Sequence, residues 1–185
     1  MTSNVLPRFG KVAIVDNKHQ EVEVVEQLLT ANGIPYVYYD YGKLINEGEI
    51  NKIDGIRLVF LDIRLEDGNE EAKNIYSVLA STIETIIGVN NGPYTIVLWT
   101  NEYQLKDEVE DFLMKRLSDE DTTRPTYICA LDKKDFLEKP ESLFGRVNDE
   151  LNKNRPLEFL TTLESMTMEI PVSYTHLRAH ETKAN

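Results

Sequence analysis

Cysteine is almost missing from this chain: Cys129 is the only one in 185 residues. No disulfide can close within one copy, and a cysteine set in an apolar run reads as a small buried hydrophobe. Long apolar runs are missing too. No stretch is long enough to cross a bilayer, and the first ten residues lack a signal-peptide pattern, so the expected location is the cytoplasm. Positive charge is scarce, with 20 Lys and Arg against 32 Asp and Glu and a formal net charge of −12. That balance argues against a nucleic-acid backbone or an anionic membrane as the main partner. It is compatible with cations or basic protein surfaces. There is no internal repeat and no low-complexity segment. No GxGxxG follows the first apolar run, so a dinucleotide fingerprint is absent.

What is present suits one globular domain with a core of its own, at 41% hydrophobic and 28% charged residues. The chain is organised around residues 58–68. There Leu58, Val59, Phe60 and Leu61 run straight into Asp62, and a polar turn follows to Gly68. A short continuous apolar run reads as a strand buried on both faces, as in a parallel sheet. Ligands of open α/β sheets bind beyond the carboxyl ends of the strands, which is where Asp62 falls. A loop aspartate capping the next helix is the plainer alternative.

The same pattern recurs along the chain. Residues 11–15 form an apolar run ending in Asp16 and Asn17. Val22, Val24, Val25, Leu28 and Leu29 make a helical stripe over 20–31, closed by the C-cap signal Asn32-Gly33. Residues 34–39 read as a strand, with Pro35 marking either an edge position or entry from a turn, and a short helix is expected over 43–46. After Asp62, residues 70–87 carry helical spacing, and 94–99 form a buried run ending in Thr100 and Asn101. A helix over 105–117 presents Val109, Phe112, Leu113 and Leu117, and the acidic segment 118–124 reads as an exposed excursion. Residues 126–131 form a last strand, ending in Asp132, Lys133 and Lys134. Pro140 opens a helix through Leu143, Phe144, Val147 and Leu151. Pro156 opens another, with Leu157, Leu160, Leu163 and Met166 on its apolar face. Such β/α alternation implies a parallel sheet with helices on both faces.

Three units are expected: a domain over 1–153, the start of a helical extension of a longer parent protein over 154–170, and a non-native tail over 171–185. Residues 172–182 resemble the translated transposase adapter used in sequencing-library preparation, over eleven consecutive residues. His176 and His180 fall in that tail, so their helical spacing is not read as a metal site. His19, the remaining histidine, reads as a helix-start residue.

The strand ends collect Asp16, Asn17, Asp62, Thr100, and Lys133 or Lys134. A carboxylate can take up a phosphoryl group as an acyl phosphate. A hard cation such as Mg²⁺ would offset charge on the phosphoryl oxygens, and a hydroxyl and an ammonium would bind the rest. On these residues the chain resembles the receiver domain of two-component response regulators, over roughly residues 10–153. The resemblance implies a flavodoxin-like, doubly wound, five-stranded parallel sheet of order 2-1-3-4-5. It makes Asp62 the phosphoacceptor, Asp16 and Asn17 the metal-binding pair that works with Asp62, Thr100 the switch hydroxyl and Lys133 the site lysine. Lys134 is a rival, and so is Lys139, because Phe136-Leu137-Glu138-Lys139-Pro140 looks like the family's lysine–proline segment.

Departures from the family pattern matter. Asn17 stands where an acid is usual, which should weaken Mg²⁺. The turn after Asp62 lacks the usual proline and has Glu66 nearby, and the connection from Thr100 to Lys133 is long. Two readings therefore stay open. In one, a histidine kinase or another signalling protein phosphorylates Asp62 and an output surface switches, with a homodimer and a C-terminal output region as partners. In the other, a degenerate pseudo-receiver serves as an interaction module of a larger bacterial protein, as in some predicted defence systems. Either is a regulatory domain rather than an enzyme, autophosphorylation from a phosphodonor aside. Haloacid-dehalogenase phosphatases also use a strand-end aspartate, but they need a second one two residues on, where this chain has Arg64. Trp99, Tyr36, Tyr38 and Tyr39 are expected in core and sheet.

Overall fold

Five of the apolar runs form strands in the computed structural model: β1 (Lys11–Asp16), β2 (Tyr36–Asp40), β3 (Ile56–Leu61), β4 (Thr95–Thr100) and β5 (Tyr127–Asp132). The structure describes residues 10–46, 52–66, 68, 71–117, 123–137, 139–154, 159, 162 and 163. All pairings are parallel and the order is β2-β1-β3-β4-β5. This is the doubly wound, flavodoxin-like arrangement, whose switch point lies between the first and third strands. The edge position, one of the two readings of Pro35 for β2, is observed.

Six helices connect and cover the sheet among the described residues: α1 (His19–Ala31), α2 (Tyr41–Asn46), α3 (Ala72–Ile86), α4 (Lys106–Arg116), α5 (Lys133–Leu137) and α6 (Leu143–Asn152). Side chains alternate across each strand and so feed two cores. Val12, Ile14, Leu58, Phe60, Val97, Trp99, Cys129 and Leu131 pack with α1, α5 and α6 through Val22, Val25, Leu29, Phe136, Leu143, Val147 and Leu151. Ala13, Val15, Val59, Leu61, Ile96, Leu98 and Ile128 face α2, α3 and α4 through Leu44, Leu79, Ile83, Val109 and Leu113. Burying each such side chain contributes about 1.5–3 kcal/mol, so both faces must be apolar. That is why the central strands read as continuous runs. Cys129 is buried and free. Gly33, just past α1, has φ +66°, a left-handed conformation that favours glycine at a helix end.

The structure adds one helix to the sequence reading and corrects one segment of it, while others lie outside the described residues. The added helix is α5, which starts at Lys133, directly after β5. Five residues are too few to show a helical period in the sequence. The end of the expected exposed excursion is not exposed: Thr123 is buried, and its carbonyl accepts the Tyr94 hydroxyl. The rest of that excursion, 118–122, lies outside the described residues. So do most of 155–170 and all of the 171–185 tail, including the helix start at Pro156. Among the described residues no helix is long and apolar enough to cross a membrane.

Asn91 pins the turn before β4 to the start of β3. Its Nδ2 donates to the Ile56 carbonyl and its Oδ1 accepts the Ile56 N–H, both at 2.8 Å. Asn91→Ala leaves the buried Ile56 N–H without this partner, at about 1–3 kcal/mol, and leaves its carbonyl with the longer bond from Arg57 Nη1 at 3.3 Å. The expected outcome is a loss in that range in urea unfolding with an unchanged m-value. A loss under about 0.5 kcal/mol would show that the N–H finds another partner.

Candidate functional site

Because β1 and β3 are neighbours, their carboxyl ends bring Asp16 and Asp62 together. Asp16 is the last residue of β1 and is fully buried. Its Oδ1 accepts the Lys18 N–H at 2.8 Å, which fixes the carboxylate, and the Tyr38 hydroxyl donates to its carbonyl at 3.2 Å. Asp62 follows β3. Its N–H donates to the Val15 carbonyl at 3.0 Å, so the sheet register itself sets its place.

Into this pair comes Lys133, the first residue of α5, with a side chain 1% exposed. Its Nζ lies 2.7 Å from Asp16 Oδ2, 2.9 Å from Asp62 Oδ2 and 2.8 Å from Glu21 Oε2. An ammonium has three donors, and here it meets three carboxylates. β5 is two strands from β3, at about 5 Å per strand, so the lysine stem must pass the end of β4. Phe136, three residues on, stacks on Trp99 at 5.8 Å between ring centroids. That contact holds the buried face of α5 against the sheet. The Trp99 Nε1–H donates to the Glu21 carbonyl at 3.3 Å, tying the first turn of α1 to β4.

Burial pushes the carboxyls of Asp16 and Asp62 above their ordinary 3.8, and the nearby Lys133 only partly offsets this. For Lys133, burial works against the charge, but Asp62 and Asp16 outweigh it and the ammonium holds its proton above the ordinary 10.5. The folded chain thus keeps protons on the two aspartates to higher pH than the unfolded chain does. Their contribution to stability is full below 3.8 and falls as pH rises through the folded values. The Lys133 contribution is present below 10.5 and is lost as pH climbs through its own raised value.

The other sequence candidates fall as follows. Asn17 is half-buried, and its Oδ1 is buried without a hydrogen-bond partner among the described residues. Thr100 ends β4, is 1% exposed and accepts the Glu102 N–H at 3.2 Å through its hydroxyl. Lys134 and Lys139 are exposed. Glu66 accepts the Tyr41 hydroxyl at 2.7 Å and stays outside the ion cluster. Arg64 makes a two-pronged pair with Glu102, at 2.6 and 3.1 Å. His19 opens α1 and pairs with Glu26 at 3.2 Å.

Sequence reasoning missed Glu21. The one available signal was its place in the first turn of the helix that leaves β1, on the side of the sheet where ligands bind. Carboxylate oxygens of Asp16, Glu21 and Asp62 lie within 4.8 Å of one another. The strand-end pair, Asp16 and Asp62, offers the hard oxygen donors that a divalent cation takes, and Glu21 completes the acidic cluster around the ammonium.

No family model matches the chain, and no curated protein matches it. Solved structures that resemble it include a CheY-like response regulator receiver domain protein from Methanospirillum hungatei. The two are 17% identical over 76% of this chain and 98% of the other, with a TM-score of 0.42. A signal receiver domain of a two-component histidine kinase from Clostridium thermocellum is 13% identical over 74% of this chain and 97% of its own, TM-score 0.41. The non-phosphorylated HemR receiver domain from Leptospira biflexa is 14% identical over 73% and 94%, TM-score 0.38.

Lys133→Met would strip the ammonium that faces both buried aspartates. Removing one partner of such a cluster costs about 3–5 kcal/mol. The expected cost in urea unfolding is in that range at pH 8 and smaller at a lower pH, because protonation of the two carboxyls, which their burial favours, removes the need for a partner. Equal costs at the two pH values would show that the aspartates are not charged partners of the lysine.

Proposed function

We propose that this domain is a receiver-like signalling module in which Asp62 accepts a phosphoryl group. The observation that carries the reading is the Lys133 ammonium held between Asp16 and Asp62 at the carboxyl end of a 2-1-3-4-5 sheet. The unit is residues 1–153, and the donor is a histidine kinase, another signalling protein or a small phosphodonor. The Asp62 carboxylate attacks phosphorus, the donor's bond to phosphorus breaks, and an acyl phosphate forms. Asp62 must be ionised to attack, and Lys133 favours that form. Asp16, Asn17 and Asp62 would hold a divalent cation, which when bound offsets charge on the phosphoryl oxygens. The Lys133 ammonium pairs with one phosphoryl oxygen, and the Thr100 hydroxyl donates to another. The new charge at Asp62 then rearranges the ion cluster and, with it, the surface offered to an output partner.

A second reading is a pseudo-receiver whose ion cluster is structural. It is favoured by Asn17, which brings no charge, and by an ammonium that already satisfies both aspartates. The two readings part on one measurement. The intact mass of the full chain is taken after incubation with a small-molecule phosphodonor and Mg²⁺, beside Asp62→Asn. A phosphoryl increment present in the wild type and lost in the variant is the expected result. No increment across a range of Mg²⁺ on folded protein would overturn the phosphoacceptor and leave the interaction module.

A further inference from the structure

We propose that Glu21 is a positioning residue that acts through Lys133: it keeps a counter-charge on the buried ammonium when a divalent cation takes the carboxylates of Asp16 and Asp62. The inference rests on the reading above in one respect, that a cation enters between those two aspartates.

The geometry leads there in three steps. First, the ammonium now stands where such a cation would act, 2.7 and 2.9 Å from the two aspartate oxygens. Cation and ammonium cannot both share those oxygens at that spacing, so Lys133 must give some of them up. Second, its side chain is 1% exposed and cannot follow into water, and a buried ammonium without a partner is strongly disfavoured. Glu21 Oε2, at 2.8 Å, is the partner that comes from a helix rather than a strand end, and its side chain is 25% exposed. Third, Glu21 is held in place, because its own carbonyl accepts the Trp99 indole N–H.

Charge balance points the same way. The three carboxylates and one ammonium carry two unbalanced negative charges when ionised, the charge of one divalent cation. Without Glu21 the same cation would leave an unbalanced positive charge in a buried site. Asn17 contributes none, so Glu21 supplies what the amide lacks, through the lysine and from outside the donor set.

The test titrates Mn²⁺ alone, with no phosphodonor, into the full chain, and reads free Mn²⁺ by electron paramagnetic resonance. Wild type, Glu21→Gln, Lys133→Met and the double variant form a cycle. Glu21→Gln is expected to weaken Mn²⁺ binding by about tenfold or more, the scale on which residues supporting the ligands act. In the Lys133→Met background the same change is expected to matter by less than about threefold, because there is no ammonium left to hold. Equal weakening in both backgrounds overturns the proposal, since Glu21 would then be a ligand or a purely structural residue. So does unchanged affinity in Glu21→Gln, or no Mn²⁺ bound by the wild type at millimolar concentration. If Lys133→Met does not fold, the hydration of bound Mn²⁺ in Glu21→Gln decides. One extra coordinated water marks a lost ligand and overturns the proposal; an unchanged number with weaker binding supports it. A mass increment at Asp62 with a failed cycle would leave the phosphoacceptor reading intact, and the converse would leave Glu21 in its role.

Discussion

A lysine ammonium with almost no exposure, shared by three carboxylates from three different elements, is the constraint around which this molecule is arranged. Each of those ions would be costly to bury alone, and together they are tolerable only in tight mutual contact. That demands precise placement. β1 must lie beside β3 for Asp16 to meet Asp62, which the 2-1-3-4-5 order provides. α1 must leave β1 close to the sheet so that its first turn delivers Glu21. α5 must begin at once after β5 so that Lys133 points back across the end of β4. The apolar contacts near the cluster secure these placements: Phe136 against Trp99, Trp99 edge-on to Phe60 at 6.4 Å, and the indole N–H on the Glu21 carbonyl.

The strands were readable because each is apolar on both faces, and a run such as 94–99 admits few other interpretations. The acids at their ends were readable for the same reason, since a charge that closes a buried run marks the rim of the sheet. The lysine was harder. Phe136-Leu137-Glu138-Lys139-Pro140 imitates a strand-end lysine followed by proline, but α5 intervenes and Lys139 is exposed. The spacing that decides is Lys133 to Phe136, i to i+3, which places both on one buried face of a single helical turn. Glu21 carries only a faint mark in the sequence, its place in the first turn of the helix after β1. On the sequence it is one more polar residue beside an apolar stripe, and only the packing of α1 reveals that its carboxylate turns inward.

The same packing bears on what the site can do. A carboxylate that is to act as a nucleophile at neutral pH must be ionised, and burial of Asp62 opposes that. Lys133 favours the charge and partly offsets burial, but at short range it also occupies the oxygens a metal would need. A receiver-like site and a structural ion cluster are therefore built from the same parts and differ in how readily the ammonium yields. Asn17 tilts the balance towards the ammonium, because an amide attracts a divalent cation less than a second acid would. Glu21 tilts it back, because it gives the ammonium somewhere to stay. The function of the site thus turns less on the aspartate that the sequence displays than on the energy needed to move one lysine by a short distance among its three partners.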